Sequence, residues 1–441
     1  MTERLVEGTW RAMRFVFSPP AESAAGLLTL PWREPLTEWT DDRLVEIRQR
    51  GLSRHVVRFV AEGGRVYAVK ELHERLARRE YRLLARLREL GVPSVAPLGV
   101  VIDRPDGQDA MLVTEFLEHS SSYRALFANP RGSHPTGRLI DALVELLVRL
   151  HLAGFMWGDC SLSNTLFRLD AGAFAAYLVD AETAELHPSL TDGQRGYDVD
   201  FARERIAGEL FDLQAAATLP ADVDPFEVGD EVLRRYEGLW HELTSEETMP
   251  AEEQRFRLGE RLRRINELGF DVDEVELVDA DGGSRLKVRT RVAEPGHQRR
   301  ALFARTGLDV QENQARRLLN DIAGYRGYLE QEEGRPVPDV VAANRWLTEI
   351  YEPVVEAIPE ELRSRLDEAE VFHEILEHRW FLSEAAGHDV GTTAATTDYL
   401  TNVLPQIPDE LTVTALPLPR ADAAGTSDTG PAGDAAPDDT Q

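Results

Sequence analysis

Three short segments carry side chains whose types and spacing suit phosphoryl transfer. Lys70 lies in a run of β-formers, Arg65–Leu72, directly after a Gly-Gly turn. Asp159 is followed five residues later by Asn164, and Asp180 ends an apolar run sixteen residues beyond that asparagine. Transfer of a phosphoryl group from a nucleotide requires such parts: an ammonium on a strand, a carboxylate that accepts a proton, and two oxygen ligands for a metal.

Lysine is rare in this chain, which makes its positions informative. Of 49 basic residues only Lys70 and Lys287 are lysines, and the other 47 are arginines. Arginine can fill almost any surface role for a cation, so a lysine at position 70 indicates a place that needs a compact ammonium. We predict that Lys70 contacts the α- and β-phosphates of ATP.

A carboxylate interrupts the apolar face of the helix that is predicted after this strand, from about residue 73 to 90. The apolar positions of that helix are spaced by seven, four and three residues: Leu76, Leu83, Leu87 and Leu90. Glu80 falls inside this stripe, and a carboxylate turned toward a core needs a partner. We predict that Glu80 forms an ion pair with Lys70, with Glu71 and Glu74 as the alternatives.

The remaining site residues take their predicted roles from the same chemistry. Asp159 would orient the acceptor hydroxyl and accept its proton, and Asn164 and Asp180 would bind Mg²⁺ through oxygen atoms. The predicted cofactors are therefore ATP and Mg²⁺. Four further residues are predicted nucleotide contacts, two in the loop after Gly51 and two at the end of a predicted strand: Ser53, Arg54, Glu115 and Leu117.

The order of predicted elements indicates a fold of the α+β class with two lobes. A hairpin, a helix and a further strand come first, followed by an apolar helix, the Asp-to-Asn loop and a second hairpin. The segments are His55–Ala61, Arg65–Leu72, the helix over residues 73–90, Met111–Phe116, Leu139–His151, Thr165–Arg168 and Ala175–Val179. This order is typical of a protein-kinase-like fold with an antiparallel β N-lobe and a mainly helical C-lobe.

Two sequence details extend this to a family resemblance. Gly158-Asp159 stands where protein kinases have Arg-Asp, and Leu150-His151-Leu152-Ala153-Gly154 precedes it. With them, residues 44–215 resemble a kinase-fold phosphotransferase of the prokaryotic group that includes lipopolysaccharide sugar kinases and, more distantly, aminoglycoside and choline kinases. Residues 230–408 resemble a domain of unknown function that is fused to such modules in actinobacteria. The resemblance implies an ATP-dependent kinase for the first part and no function for the second.

The chain also departs from the kinase pattern in ways that bear on mechanism. It has no G-x-G-x-x-G phosphate loop, and Ala181-Glu182 replace the Phe-Gly that follows the metal-binding aspartate in protein kinases. The sequence therefore leaves open three functions: a phosphotransferase acting on the hydroxyl of an unidentified small-molecule or sugar-type acceptor, a nucleotide-binding scaffold, and a protein kinase.

The C-terminal half has a different character from the kinase-like part. A second hairpin is predicted over Val272–Val278 and Leu286–Val292, and four helices follow near residues 310–330, 337–357, 360–386 and 392–403. We predict five units: an N-terminal extension (1–43), an N-lobe (44–118), a C-lobe (119–229), a mainly helical domain (230–408) and a disordered acidic tail (409–441). The helical domain is a possible surface for a protein partner.

Charge and cysteine content restrict the partners and the compartment. Residues 1–150 carry 22 basic and 20 acidic residues, whereas residues 151–441 carry 27 and 58, so nucleic acid is not expected as a partner. Cys160 is the only cysteine and is predicted to be a small buried residue rather than a nucleophile. No apolar run reaches 18 residues and no signal peptide is evident, so we expect a cytoplasmic protein without an integral membrane segment.

Overall fold

The computed structural model describes residues 13–47, 55–128, 136–245, 247–250, 259–261, 263, 272–280, 285–292, 296–407 and 414–415. For the strands in 247–250, 272–280, 285–292 and 414–415 it describes the backbone. Ser53 and Arg54, two of the predicted nucleotide contacts, lie outside the described residues.

A seven-stranded antiparallel sheet forms the N-terminal lobe. Its strands along the chain are β1 (Arg14–Phe17), β2 (Leu44–Glu46), β3 (Val56–Glu62), β4 (Arg65–Leu72), β5 (Pro97–Ile102), β6 (Ala110–Glu115) and β15 (Thr414–Ala415). Their spatial order is β1-β5-β6-β4-β3-β2-β15. The predicted hairpin is present as β3 and β4, and its turn has Gly63 and Gly64 at φ of +59° and +76°, a conformation that favours glycine.

Each face of this sheet is covered by a different part of the chain. Side chains alternate across a strand, so Leu112 faces the helix α2 (Glu74–Glu89) and Val113 faces the opposite side. That opposite side is covered by residues that the sequence analysis placed in an N-terminal extension, including helix α1 (Ala21–Leu28) and the buried Trp32 and Trp39. Strand β1 and these aromatic residues thus pair and pack with the sheet of the N-terminal lobe.

Helix α2 buries one carboxylate together with its apolar face. Its buried residues are Ala77, Glu80, Leu84 and Leu87, whereas Leu76, Leu83 and Leu90 are only partly buried. Glu80 and Leu87 are thus buried as predicted, whereas Ala77 and Leu84 take the buried places that were expected for Leu76 and Leu83. With an exposed fraction of 1%, Glu80 must find its partner inside the protein.

The C-terminal lobe is mainly helical, as predicted. It contains α3 (Tyr123–Ala128), α4 (Thr136–Leu152), α5 (Asp192–Ala215) and α6 (Pro225–Thr244). Short strands lie beside them: β7 (Ser120–Ser122), β8 (Phe155–Met156), β9 (Thr165–Asp170), β10 (Ala173–Leu178) and β11 (Glu185–Leu186). The predicted domain boundary at residue 229 falls inside α6, whose Val232, Tyr236 and Leu243 are part of the lobe's core.

The following part of the chain has its own hydrophobic core. Strands β12 (Glu247–Pro250), β13 (Val272–Ala280) and β14 (Arg285–Val292) form a small sheet that includes the predicted hairpin. Six helices follow: α7 (His297–Thr306), α8 (Glu312–Glu333), α9 (Asp339–Trp346), α10 (Glu352–Glu356), α11 (Glu368–Ala386) and α12 (Thr392–Asn402). A core around Trp346, Phe372 and Tyr399 joins the helices. We refer to residues 296–407 as the helical region.

Two of the predicted helices are divided in the structure. Leu347–Tyr351 forms a π-helical turn between α9 and α10. Pro353, two residues beyond it, has no N–H to donate, and its ring crowds the preceding turn. Helix α11 begins only after Asp367, whose side chain accepts a hydrogen bond from the Ala369 N–H. In the predicted disordered tail, Thr414–Ala415 instead pairs with β2, and the rest lies outside the described residues.

Two buried carboxylates join the helical region to the C-lobe. Asp170, at the end of β9, accepts hydrogen bonds from Asn313 N (3.1 Å) and Gln314 N (2.7 Å) and so caps α8. From the other side, Glu370 accepts from Ala171 N (2.7 Å) and Gly172 N (2.8 Å) in the turn of the β9–β10 hairpin. We call this reciprocal contact the carboxylate clasp. Burial raises the pKa of Asp170 to about 7, against the effect of the two backbone hydrogen bonds.

The turn in the clasp explains why Glu370 is needed. Ala171 and Gly172 have φ of +54° and +76°, and such two-residue turns usually carry Asn or Gly at the first of these positions. Ala171 lacks a polar side chain that could stabilise the conformation locally. Glu370 supplies the missing interaction by accepting hydrogen bonds from both backbone N–H groups. Within the helical region it also accepts a hydrogen bond from Gln314 Nε2 at 3.0 Å.

We expect Glu370→Ala to lower the free energy of unfolding by about 3 kcal/mol, since it removes the acceptor of three hydrogen-bond donors, two of which, on Ala171 and Gln314, are buried. Urea denaturation would measure the change. Glu384→Ala is the matched control, because Glu384 lies on the same helix and is exposed, so its loss should cost less than about 0.5 kcal/mol. Equal effects of the two substitutions would contradict a stabilising role for the clasp.

Candidate active site

Lys70 lies at the centre of a cluster of carboxylates between the two lobes. Its Nζ is 3.1 Å from Glu80 Oε2, 2.8 Å from Asp180 Oδ2 and 3.6 Å from Glu182 Oε2. The structure thus brings Lys70 together with Glu80 and Asp180, three of the residues singled out in the sequence, and adds Glu182. One oxygen from each of the three carboxylates lies within 4.8 Å of the other two. The cluster combines one positive charge with three acidic groups.

The protonation equilibria of this cluster reflect that imbalance. Burial, and then the charge of Asp180, raises the pKa of Glu80 to about 8, against the opposite effect of the Lys70 ammonium. Burial by itself would lower the pKa of Lys70, but the charges of Glu80 and Asp180 outweigh it and raise that pKa. Lys70 is therefore charged, and its single ammonium faces three acidic groups.

Glu182 also connects the two lobes across the mouth of the cluster. Its Oε2 lies 2.9 Å from His55 Nε2, at the start of strand β3. The backbone at Asp180 is fixed from the other side, because Trp157 Nε1 donates to its carbonyl oxygen over 3.1 Å. Glu182 N donates to Asp180 Oδ1 over 3.0 Å, so one carboxylate oxygen is held by the chain that follows it.

A fully buried aspartate on helix α5 anchors the loop that carries Asp159. Asp198 accepts hydrogen bonds from Trp157 N (2.7 Å) and Gly158 N (2.8 Å), and its Oδ2 lies 3.0 Å from His151 Nε2. Gly158 has a φ of +74°, which favours glycine at this position. These contacts give a physical reason for the Gly-Asp pair and for the preceding histidine.

Asp159 and Asn164 lie side by side in this loop. Asn164 Nδ2 donates to the carbonyl oxygen of Asp159 over 3.1 Å and to its Oδ2 over 3.2 Å, which leaves the Asn164 side-chain oxygen as the group that could bind a metal. Asp159 Oδ1 accepts from Arg205 through Nε (3.1 Å) and Nη2 (2.9 Å). The carboxylate is thus held at both oxygens, and its side chain is only 11% exposed.

A second acid of helix α5 holds the middle of the same loop. Glu209 accepts from Leu162 N (2.7 Å), from Ser163 N (3.0 Å) and from the Ser163 hydroxyl. Cys160, in the first half of the loop, is completely buried, and burial raises the pKa of its thiol well above the usual value. This agrees with the prediction that Cys160 fills space and does not act as a nucleophile.

The cluster and the loop line one cleft of about 810 Å³ between the lobes. Lys70, Glu80, Asp159, Asn164 and Asp180 all contribute to its wall, as do the predicted nucleotide contacts Glu115 and Leu117. That volume is in the range of pockets that hold small molecules and cofactors. Arg65 engages one oxygen of the Glu115 carboxylate at 2.5 Å, and the Glu115 N–H donates to the Ala96 carbonyl oxygen over 2.8 Å.

The helical region lies on another side of the C-lobe. Of the described residues, none beyond Asp212 lines the cleft. Instead, the helical region borders a separate cavity of about 960 Å³ behind the segment Glu115–His119. The helical region, residues 296–407, therefore does not form a wall of the cleft. Among all the residues that the structure describes, no helix is long and apolar enough to cross a membrane.

Four residues that contact the site were missing from the predicted set: His55, Asp198, Arg205 and Glu209. All four act through contacts between distant segments, which spacing within a motif does not reveal. For Asp198 a signal was available, because it is an acid on the apolar face of a helix, like Glu80. Glu182 was noted only as a departure from the kinase pattern and is now part of the cluster.

Comparison with known proteins confirms the resemblance predicted from the sequence. Residues 42–203 match the Lipopolysaccharide kinase (Kdo/WaaP) family. Residues 238–404 match a Domain of unknown function (DUF4032). The first match runs from strand β2 to the first part of helix α5, and the second covers most of the helical region with the strands before it. The two-lobed, kinase-like α+β fold predicted from the order of elements is likewise confirmed.

A solved structure described as WaaP in complex with acyl carrier protein is also similar to this chain. The identity is 17%, the TM-score is 0.34, and the aligned part covers 58% of this chain and 99% of the other. None of the curated proteins matches the chain.

Proposed function

We propose that the protein is a phosphotransferase that moves the γ-phosphoryl group of ATP, with Mg²⁺, to a hydroxyl of a small-molecule or sugar-type acceptor. The observation that carries this proposal is the cluster of Glu80, Asp180 and Glu182 around Lys70 in the interlobe cleft. Three carboxylates around a single ammonium leave a negative charge that a divalent cation would balance. Carboxylate and amide oxygens are the ligands that Mg²⁺ prefers.

The proposed roles follow from the positions of the side chains. Asn164 and Asp180, with Glu182 beside them, would hold Mg²⁺, which when bound neutralises negative charge on the phosphate oxygens. Lys70 would contact the α- and β-phosphates, and Glu80 would keep its ammonium in place. Backbone groups of Glu115 and Leu117 would contact the base of the nucleotide, and Ser53 and Arg54 remain proposed phosphate contacts.

In the transfer step, Asp159 would act as the base. The acceptor oxygen forms a bond to the γ-phosphorus, and the bond from that phosphorus to the β–γ bridging oxygen breaks, so that ADP leaves with the electron pair. The hydroxyl proton passes to the Asp159 carboxylate. Little else is required of the protein, because positioning and charge stabilisation supply most of the rate enhancement in phosphoryl transfer.

Turnover of ATP by the purified protein tests the proposal. We expect Mg²⁺-dependent ADP formation with at least one member of a panel of sugars, glycolipids and amino alcohols, and we expect Mg·ATP to raise the melting temperature. Removing Mg²⁺ with a chelator should abolish both effects. Stabilisation by Mg·ATP without turnover would favour a nucleotide-binding scaffold, and phosphate found only on the protein itself would favour a protein kinase.

A further inference from the structure

Helix α5 presents three side chains to the loop that carries Asp159. Two of them are the acids that anchor this loop, and the third is an arginine between them. Asp198, Arg205 and Glu209 are separated by seven and four residues, a spacing that places all three on one face of a helix. Asp198 binds the start of the loop and Glu209 its middle. Arg205, between them, reaches the side chain of Asp159.

The contact between Arg205 and Asp159 differs from an ordinary surface ion pair. Two nitrogen atoms of the guanidinium, Nε and Nη2, donate to one and the same carboxylate oxygen, while the other oxygen accepts from Asn164. The guanidinium also lies 5.7 Å from the centre of the Phe201 ring, one helical turn earlier. The carboxylate therefore has a single orientation that is fixed by two elements.

The loop itself offers no alternative cation. Between Asp159 and Asn164 the sequence is Cys-Ser-Leu-Ser, with no basic side chain. Phosphoryl transfer brings a highly charged triphosphate next to the base, so an aspartate there is repelled unless a cation balances it. In this structure Arg205 provides that charge from outside the loop, and its side chain lines the cleft.

We infer that Arg205 is the positioning residue for the proposed base. It holds the Asp159 carboxylate in the orientation that receives the acceptor's proton and balances its charge beside the triphosphate. This inference rests on the proposed phosphotransferase function and adds to it a residue outside every motif of the sequence. An arginine placed in this way raises the rate of the chemical step and leaves nucleotide binding largely unchanged.

The test compares Arg205→Gln, Arg205→Lys and the control Arg203→Gln. Arg203 lies on the same helix with nearly the same exposure, 45% against 44%, but its partner is Asp230, and it does not line the cleft. We expect Arg205→Gln to lower kcat about 10- to 100-fold, with the KM for ATP and the Mg·ATP melting shift within about twofold of wild type. Arg205→Lys should recover part of the rate, and Arg203→Gln should behave as wild type.

The possible outcomes separate this inference from the proposed function. If kcat of Arg205→Gln equalled or exceeded that of the wild-type protein, the role of Arg205 would be overturned and the proposed function would stand. A parallel loss of kcat and of Mg·ATP stabilisation would also overturn it, because it would show a general disturbance of the cleft. No turnover in the wild-type protein with any acceptor would overturn the proposed function and this role with it.

Discussion

Lys70→Arg is expected to reduce kcat/KM about 100- to 1,000-fold, although it keeps the positive charge. The Lys70 side chain is 12% exposed, and its ammonium lies 3.1 Å from Glu80 and 2.8 Å from Asp180. A planar guanidinium is larger and donates in fixed directions, so it cannot occupy that space and still contact a phosphate. The rate of ADP formation at saturating and subsaturating ATP would show the loss.

The only other lysine in the chain provides the control for this substitution. Lys287→Arg makes the same chemical change in strand β14, which belongs to a different sheet from Lys70, and it should leave turnover unchanged. Normal ATP affinity and turnover in Lys70→Arg would show that a compact ammonium is not required. The same result would contradict the proposed role of Glu80, which is to keep the Lys70 ammonium in place.

Asp159→Asn is expected to lower kcat about 100- to 10,000-fold while Mg·ATP still stabilises the protein. An amide has nearly the shape of the carboxylate but cannot take the proton of the acceptor hydroxyl. The hydrogen bond from Asn164 can persist, so the loop should keep its form. Measuring kcat together with the Mg·ATP-dependent melting shift separates loss of the base from loss of the nucleotide site.

Asp230→Asn is the matched control for Asp159→Asn. Asp230 is also an aspartate paired with an arginine of helix α5, at 2.7 Å from Arg203, but it is 54% exposed and lies outside the cleft. Its replacement should leave kcat unchanged. If Asp159→Asn kept wild-type turnover, another group would have to accept the proton and the role assigned to Asp159 would be wrong.

The parts of the site that the sequence predicts are those set by local structure. Strand β4 follows from its β-formers and its Gly-Gly turn, and it places Lys70 on one side of the sheet. Glu80 is identifiable because a carboxylate on an apolar helix face requires a buried partner, even though Ala77 and Leu84 are buried in place of the predicted Leu76 and Leu83. Asp159 and Asn164 are neighbours within one short loop, so their spacing alone brings them together.

The parts that could not be predicted depend on contacts between distant segments. His55 meets Glu182 across 127 residues of chain, and Arg205 meets Asp159 across 46. No periodicity connects such pairs, since each depends on how the lobes are packed. Strand β1 was not predicted for the same reason, because its four residues are too few to identify a strand until it pairs with β5.

The carboxylate clasp affects how deletion experiments on this protein should be read. Asp170 of the C-lobe completes the first turn of α8, and Glu370 of the helical region completes the turn at Ala171. Each part therefore contains backbone groups whose partners the other supplies. A chain cut at the end of α6 would lose activity through damage to the β9–β10 hairpin, whose first strand begins directly after Asn164. Such a loss would not identify the helical region as an acceptor-binding domain.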